Sequence, residues 1–530
     1  MRKDSFVKGA VILGLGLGFT KLLGFYRLVL PRLMGAEGVG LFNMAYPIYN
    51  TLLVLSTAGI PVAISKLVAE RVARGDGPGA QRVFRVSLAL LFSLGLFFST
   101  LMLAGAGFIT RHITLDPRSY YPLVAIAPAI LPVSVMSALR GFFQGLQRMA
   151  PPSTSYLVEQ VVRVGTIITL AAALLPLGVQ YAAAGATLGA LTGALASLGY
   201  LTFVYLRARV DLPRAAETQE PLKAFWAVAR QVLYMAVPIS LAGLVFPVMQ
   251  NIDLLVVPAR LRLIGVGVER ATELYGLLTG MAMTIVYLPT VFTTALSFSL
   301  VPSISEAQAV GDSVAIPDRT MTALRATMVL TLPAAAGALI LATPICRLLF
   351  AHPEAGGPLQ VMSPGLLLLA LQQTTSGVLQ GVGRIDIPVK NLAMGAGVKF
   401  LATWVLTPLP QLGINGAAVG TILGFLVAAG LNLQAVNRLV GISPDWAGLI
   451  LRPGAATAVM ALGVWGAYRW LMSRGLGNSA STLAAVLAGM VVYSVAILLL
   501  GGVRRQDLEA LPRVGPRLAR LLGRLRLVRG

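Results

Sequence analysis

The sequence predicts an all-α polytopic membrane protein with about 14 transmembrane helices, arranged as two parallel six-helix lobes and two further C-terminal helices. Three observations predict this fold. Apolar residues make up 56% of the 530 residues and charged residues only 12%. The charges are bunched between long apolar stretches, and one set of motifs occurs twice in the same order. This composition excludes an ordinary soluble globular domain.

Several apolar stretches are long enough to cross a membrane. A helix needs about 20 apolar residues to span a hydrocarbon core of roughly 30 Å, and segments 86–108 and 483–500 meet that requirement. With glycine, proline and charge as loop signals, hydropathy predicts spans that start near residues 8, 39, 86, 121, 154, 181, 226, 275, 322, 361, 390, 414, 447 and 480. The basic start of the chain is predicted to belong to a retained first helix and not to a signal peptide.

The formal net charge of +22 is explained by basic residues in the predicted loops beside the membrane. Most Lys and Arg residues fall in predicted loops, where the positive-inside tendency and anionic lipid account for them. No nucleic-acid-binding module accompanies them, so nucleic acid is not a predicted partner. The loops richer in Lys and Arg are assigned to the cytoplasm, which places both termini there.

Metal, cofactor and catalytic sites are not predicted. Cys346 is the only cysteine, and His112 and His352 lie in separate predicted loops. The sequence contains no nucleophile–base pair and no phosphate-binding Gly-Lys-Ser/Thr loop. We therefore predict no enzyme activity and no ATP hydrolysis by this chain.

An internal repeat organises the sequence. The motif from Gly141 to Arg148 recurs from Gly377 to Arg384 at an offset of 236, and the same offset places Arg163 opposite Lys399. A Gly-xxx-Gly-xxx-Gly pattern, which suits closely packed membrane helices, also occurs in both halves. Two similar lobes are typical of transporters that open a central site to each side of the membrane in turn.

The repeat sets the predicted domain boundaries. They are an N-terminal lobe, an inter-lobe loop, a C-terminal lobe, two extra helices and a basic tail, at residues 1–210, 211–225, 226–440, 441–503 and 504–530. In the tail, Arg and Leu residues separate onto different helical faces, as in a helix lying on anionic lipid. A partly disordered basic extension is the alternative interpretation of the tail.

Motifs in the first 200 residues resemble a known family. The stretches from Phe6 to Gly9, Gly35 to Leu41, Gly59 to Glu70, Leu139 to Gly145 and Glu159 to Arg163 resemble the stage V sporulation protein B group of polysaccharide exporters. That group shares a superfamily with lipid II flippases, O-antigen flippases and multidrug and toxic compound extrusion transporters. The resemblance implies a flippase for an undecaprenyl-pyrophosphate-linked saccharide in the bacterial cytoplasmic membrane, used for peptidoglycan, spore cortex or another polysaccharide.

Basic residues inside predicted helices are the first candidate binding groups. Intramembrane charges are costly and usually functional, and Lys21 and Arg27 share one broad face of the first helix. Their run resembles the first-helix basic motif of lipid II flippases, although Leu28 stands where that motif has an acidic residue. Snorkelling of Lys21 toward the interface is the alternative.

The fifth helix supplies a second group of candidates. Glu159 and Arg163 lie one turn apart, so they form either a structural ion pair or part of a binding site. Gln160 and Asn50 are further candidate substrate-binding residues, and Arg140 is a candidate gate or anchor. The predicted partner is a lipid-linked anionic saccharide together with membrane lipids, bound by a monomer.

The second lobe carries the candidate coupling residues Gln250, Asn251, Asp253 and Lys399. An isolated carboxylate and an isolated ammonium are cheaper together than apart in packed membrane helices. In some of the lipid II flippases that the chain resembles, an acidic group in this lobe takes part in a sodium site. We hypothesise that Lys399 replaces that cation by pairing with Asp253, so that coupling comes from protonation of Asp253 or from the membrane potential. A coupling ion, H⁺ or Na⁺, is a possible further partner.

Two other functions remain open at this stage. One is a cation-coupled exporter of amphipathic drugs, which a positively charged chamber disfavours by repulsion. The other is a non-transporting scaffold for envelope-synthesis enzymes, which leaves the buried charges without a purpose.

Overall fold

A computed structural model describes residues 26–57, 59–207, 222–442 and 445–502. These residues form helices joined by short turns, and no strand occurs among them. The predicted first span near residue 8, residues 211–221 of the predicted inter-lobe loop 211–225 and the basic tail from 504 to 530 lie outside the described residues.

The described chain divides into two compact units, one ending at Gly276 and the other beginning at Leu277. The first unit contains nine α-helices among its described residues: α1 (Tyr26–Thr57), α2 (Ile60–Ala73), α3 (Gly77–Ile109), α4 (Tyr120–Ile126), α5 (Ile130–Gly145), α6 (Ala150–Leu174), α7 (Val179–Arg207), α8 (Leu222–Leu263) and α9 (Val268–Gly276).

The second unit contains another nine among its described residues: α10 (Met283–Tyr287), α11 (Thr290–Ala309), α12 (Ala315–Ile340), α13 (Ala342–Phe350), α14 (Gly356–Gly381), α15 (Asp386–Leu406), α16 (Ile414–Val440), α17 (Arg452–Ser473) and α18 (Asn478–Leu499). Helices α8 and α9 belong to the first unit, so the boundary between the two compact units lies after Gly276 and not at the predicted lobe boundary at 226. That boundary follows the sequence repeat and stays a prediction.

The helices confirm a polytopic membrane fold. Ten helical segments of the described chain are long and apolar enough to cross a membrane, and an eleventh is formed if the bent pair 268–287 and 290–309 counts as one span. Helices α14 and α15 are 26 and 21 residues long but are not among these segments. Glutamines in α14 and charges in α15 make them more polar. The total of fourteen spans stays a prediction.

Local sequence explains where several helices begin and bend. Helix α2 follows Gly59, whose φ of 81° is in the left-handed region and whose missing Cβ would lie 2.2 Å from the Ala236 carbonyl oxygen. Helix α3 begins after Asp76, whose carboxylate accepts a hydrogen bond from the Gly79 N–H at 2.8 Å. Helix α1 contains a kink at Gly35.

Each unit has its own apolar core. In the first unit Phe84 and Phe142, with ring centroids 4.5 Å apart, join α3 to α5. In the second unit Leu324, Val378 and Val436 join α12, α14 and α16. Large apolar side chains also remain exposed along the helices, as expected for surfaces that contact lipid.

The repeat predicted from sequence recurs as equivalent helix contacts. A Cβ at Gly193 would lie 2.9 Å from Cβ of Arg163, and a Cβ at Gly424 would lie 2.9 Å from Cβ of Lys399. The α6–α7 pair of the first unit and the α15–α16 pair of the second therefore cross at equivalent residues. Close approach at glycine is a common way for membrane helices to pack.

The loops repeat as well. Leu115 and Ala351, which are 236 residues apart, both adopt left-handed backbone conformations, with φ of 58° and 63°. Such values are uncommon for residues with a side chain. Their recurrence at equivalent positions indicates that the two copies share the turn as well as the helices.

Candidate functional site

An ionic junction joins three helices of the first unit. The Arg140 Nη2 group on α5 donates to Glu159 Oε2 on α6 at 2.7 Å, and the Arg163 Nη2 group on α6 donates to Glu159 Oε1. Arg140 and Glu159 are 7% and 8% exposed. One buried carboxylate is therefore shared by two guanidinium groups, and we call this cluster the ionic junction.

Arg140 is held from several sides. Its Nε donates to Ser155 Oγ at 2.9 Å, and its Nη2 also donates to Ser197 Oγ on α7 at 3.2 Å. Its guanidinium carbon lies 3.7 Å from the centre of the Tyr156 ring. Ser155 and Glu159 are one turn apart on α6, so one helix face presents both to Arg140. The glycine contact at Gly193 brings α7 close enough for Ser197 to take part.

The ionic junction carries a net charge of +1, from two guanidinium groups and one carboxylate. The predicted Glu159–Arg163 ion pair is therefore present, but Arg140 offsets the carboxylate charge, so a positive charge remains. Arg163 is 21% exposed, and its Nε has no hydrogen-bond partner among the described residues. This arrangement suits the binding of an anion.

Tyrosines of α1 line the same region. The guanidinium of Arg163 is within electrostatic reach of the Tyr46 and Tyr49 phenols. Arg27, which is exposed at the start of the described part of α1, is within reach of Tyr46 as well. The structure thus brings two of the predicted basic residues to one neighbourhood. The hydropathy pattern gave no reason to single out Tyr46.

The other predicted substrate-binding residues have different placements. Asn50 is half-buried on α1, one turn after Tyr46, and Gln160 is half-buried beside Glu159 on α6. Lys21 lies outside the described residues. Arg140, predicted as a gate or an anchor, is a buried member of the ionic junction, and a gating role stays a prediction.

The predicted coupling residues fall in both units. Asp253 is 2% exposed on α8 of the first unit, and Lys399 is 1% exposed on α15 of the second. Gln250 is half-buried. Asn251 has a clear structural contact, because its Nδ2 donates to Thr51 Oγ1 at 2.7 Å and is 3.1 Å from the Pro47 carbonyl oxygen. It therefore joins α8 to a proline-containing stretch of α1.

The second unit contains a neutral counterpart of the ionic junction. Asn432 on α16 donates through Nδ2 to Ser376 Oγ on α14 at 3.0 Å, and its Oδ1 accepts from Asn391 Nδ2 on α15 at 2.9 Å. Gln372 Nε2 donates to Ser376 at 3.2 Å. We call this cluster the amide junction. Ser376 and Asn391 lie 236 residues after Arg140 and Ser155. The repeat offset is therefore the sequence signal from which the amide junction could have been predicted.

An apolar cavity of about 430 Å³ lies within the second unit. Helices α12, α17 and α18 form most of its wall, through residues that include Pro333, Met460, Val464 and Met490. Tyr493, whose hydroxyl donates to the Val329 carbonyl at 2.7 Å, is one of its few polar lining residues. The two C-terminal helices thus contribute to an apolar site.

Comparison with protein families and curated proteins gives consistent matches. The family model described as polysaccharide biosynthesis protein matches residues 6–308. Stage V sporulation protein B of Bacillus subtilis is 32% identical over 516 residues, which cover 97% of this chain and 99% of that protein. Lipid II flippase MurJ of the same organism is 26% identical over 463 residues, covering 83% of this chain and 84% of the flippase.

Solved structures share the fold. An inward-facing multidrug resistance transporter of the MATE family aligns with a TM-score of 0.66 and 17% identity, covering 82% of this chain and 98% of the transporter. Lipid II flippase MurJ in an inward closed conformation aligns with a TM-score of 0.65 and 14% identity, covering 92% of this chain and 98% of the flippase.

Proposed function

Since the chain belongs to the polysaccharide biosynthesis protein family, we propose that it is a flippase that moves an undecaprenyl-pyrophosphate-linked saccharide across the cytoplasmic membrane by alternating access. Relatives named as a lipid II flippase and as a stage V sporulation protein support this cargo class. Both termini are proposed to be cytoplasmic, and the chain is proposed to act as a monomer.

The ionic junction is the observation that best supports an anionic cargo. A pyrophosphate headgroup cannot cross hydrocarbon without a polar, positively charged environment. At about 4 Å a unit anion gains about 4 kcal/mol from a unit cation at an effective dielectric constant of about 20. A cationic drug at the same place loses a similar amount. The net +1 charge therefore favours the lipid-linked saccharide over cationic drugs.

We propose that Lys21, Arg27 and Arg163 bind the pyrophosphate, and that Asn50 and Gln160 contact the neighbouring sugar. Glu159 orients Arg163 because its second oxygen is held by Arg140. The apolar cavity beside α17 and α18 is proposed to take part of the polyprenyl tail, since a chain of isoprene units needs an apolar surface.

Transport in vesicles tests the proposal. Purified protein is placed in liposomes with an undecaprenyl-pyrophosphate saccharide that carries a fluorophore on the sugar, and a membrane-impermeant quencher reports the exposed leaflet. We expect transbilayer movement with the native chain. Arg163→Gln should slow it at least about tenfold, because a charge-assisted hydrogen bond contributes roughly 1.5–3 kcal/mol. Arg163→Lys should retain more activity than Arg163→Gln.

A matched control removes a different arginine. Arg71→Gln deletes an ion pair with Asp76 at the end of α2, away from the ionic junction, and should leave the rate unchanged. Movement no faster than in protein-free liposomes would contradict the proposed function. Native mass spectrometry of the purified protein gives a second readout, since a retained polyprenyl-pyrophosphate glycan is expected and bound cationic drugs would favour a drug exporter instead.

We further propose that Asp253 and Lys399 pair during the transport cycle and that coupling acts through this pair. Both side chains are almost fully buried, where an ionised group is costly without compensation. The charge swap Asp253→Lys with Lys399→Asp should restore transport that each single change abolishes. If the double variant is no more active than either single variant, the pairing is wrong.

A further inference from the structure

A cluster of charged and polar side chains joins the loop after α3 to two helices of the first unit. Asp116 is 1% exposed and accepts from the Arg118 guanidinium at 2.9 Å and 3.1 Å, and from the Arg118 backbone N–H at 3.0 Å. The two residues thus form a bidentate pair that is fixed within the loop.

The same pair contacts α9 and α1. Asp116 Oδ2 accepts from the Thr272 hydroxyl on α9 at 2.7 Å. Arg118 also contacts the carboxylate of Glu37 on α1, and its Nη1 lies 3.5 Å from Glu269 Oε1 on α9. We call these five residues the outer clasp, because positive-inside loop charge predicts this end of the helices to be outside.

Next to the outer clasp, α1 and α9 cross with almost no space between their backbones. A Cβ at Gly40 would lie 2.2 Å from the Thr272 carbonyl oxygen, and a Cβ at Gly276 would lie 2.0 Å from the Ala36 carbonyl oxygen. Residues 36 and 40 correspond to 272 and 276 at the repeat offset of 236. Equivalent segments of the two repeat copies therefore contact each other symmetrically at this crossing.

The outer clasp does not share that symmetry. At the repeat offset, the positions of Asp116 and Arg118 are occupied by His352 and Glu354. The second copy therefore has a carboxylate at the position of Arg118. The outer clasp thus adds an asymmetric set of side chains to a symmetric crossing.

We propose that the outer clasp is a releasable lock that holds α9 against the loop after α3 and against α1 at the outer end, and that must break before this end opens. This proposal rests on the proposed function, since alternating access requires such an opening. Release returns Asp116 and Arg118 to water, and recovered hydration offsets much of the lost ion-pair attraction. A lock of this kind holds the closed state without making it permanent.

The charge state of the outer clasp fits a lock that is engaged at neutral pH. Burial alone disfavours the charged Asp116 carboxylate. The hydrogen bonds from Arg118 and Thr272 outweigh that effect and hold the pKa of Asp116 below its usual range. The carboxylate is therefore charged when it accepts these hydrogen bonds.

Distance measurements between spin labels test the lock. Cys346 is replaced by alanine, and labels are attached at Arg111→Cys and Gly267→Cys, two exposed sites that flank the outer clasp. A Cβ at Gly267 meets no atom within 4 Å, so the label fits. The labelled but otherwise unchanged protein should show one short distance. Arg118→Gln and Thr272→Val should each add a longer one and raise the open-to-closed ratio about tenfold or more.

The control is Arg71→Gln, which removes another Arg–Asp pair of 2.8 Å, between the end of α2 and the start of α3. Its distance distribution should match that of the unchanged protein. Thr272→Val keeps the side-chain shape, so it decides the outcome if Arg118→Gln does not fold. An unchanged distribution in Thr272→Val overturns the proposal, and so does an equal shift in the control. If the two variants lengthen the distance but the native chain does not flip the lipid, the proposed lock still stands. That result contradicts the proposed transport function instead.

Discussion

The ionic junction of the first unit and the amide junction of the second occupy equivalent places in the repeat but use different chemistry. Arg140 joins α5 to Glu159 on α6 and to Ser197 on α7 in one copy, and Arg163 shares the Glu159 carboxylate. Ser376, Asn391 and Asn432 join α14, α15 and α16 in the other. Neutral side chains therefore make contacts between three helices in the second unit that involve charged side chains in the first.

The difference between the two junctions bears on the role of the charged side chains in the ionic junction. Burying an ion pair costs desolvation energy that packing alone does not require. The amide junction joins its three helices through neutral side chains, so this kind of contact does not by itself require charged residues. The positive charge that remains at Arg163 therefore agrees with the proposed binding of an anionic headgroup.

Removing the shared carboxylate should have the largest effect on stability. Glu159→Gln leaves two buried guanidinium groups without their counter-charge, and breaking a buried pair in this way costs about 3–5 kcal/mol. Thermal unfolding in detergent should show a clear fall in melting temperature. A melting temperature equal to that of the unchanged protein would mean that the ionic junction is not coupled to the fold.

The amide junction should tolerate loss of Asn432 better than the ionic junction tolerates loss of the Glu159 carboxylate. Asn432→Leu leaves Asn391 and Ser376 without this partner, which costs about 1–3 kcal/mol. The same unfolding measurement should place it between Glu159→Gln and the unchanged protein, and flipping should persist in the folded fraction. A larger loss than for Glu159→Gln would reverse our ranking of the two junctions.

The glycine contacts should behave alike in both units. Gly193→Ala places a Cβ 2.6 Å from the Glu159 carbonyl oxygen, and Gly424→Ala places one 2.8 Å from the Gly395 carbonyl oxygen. Overpacking of this kind costs about 1–3 kcal/mol. We expect similar falls in melting temperature for the two variants, and Gly430→Ala, whose Cβ meets nothing within 4 Å, is the control. Unequal falls would show that the packing framework has diverged too.

The smallest effect is expected at the start of α3. The hydrogen bond from Arg71 and that from the Gly79 backbone lower the pKa of Asp76. A lowered pKa in the folded state means that the carboxylate stabilises the fold above its unfolded pKa of about 3.9, and that this contribution is lost as the pH falls further. Asp76→Ala should cost about 1 kcal/mol as a lost helix cap, and its melting temperature should converge with that of the unchanged protein in acid.

Sequence alone determined the class of fold, the repeat and the family. These follow from properties that are written along the chain, namely the length of apolar runs and the recurrence of motifs such as Gly141 to Arg148. The comparisons confirm the family resemblance, and the contacts at Gly193 and Gly424 show the repeat in three dimensions. The pairing of Glu159 with Arg163 was also accessible, because one helical turn separates them.

Only the tertiary structure decided how distant residues combine. Arg140 meets Glu159 and Ser197 from other helices, Asn391 meets Asn432 across 41 residues, and Arg118 and Asp116 meet α9. Helical periodicity fixes which side chains share a face, but the partner of that face depends on packing against helices far along the chain. For this reason the sequence located the charges, whereas the fold determined that two arginines share one carboxylate and that a positive charge remains.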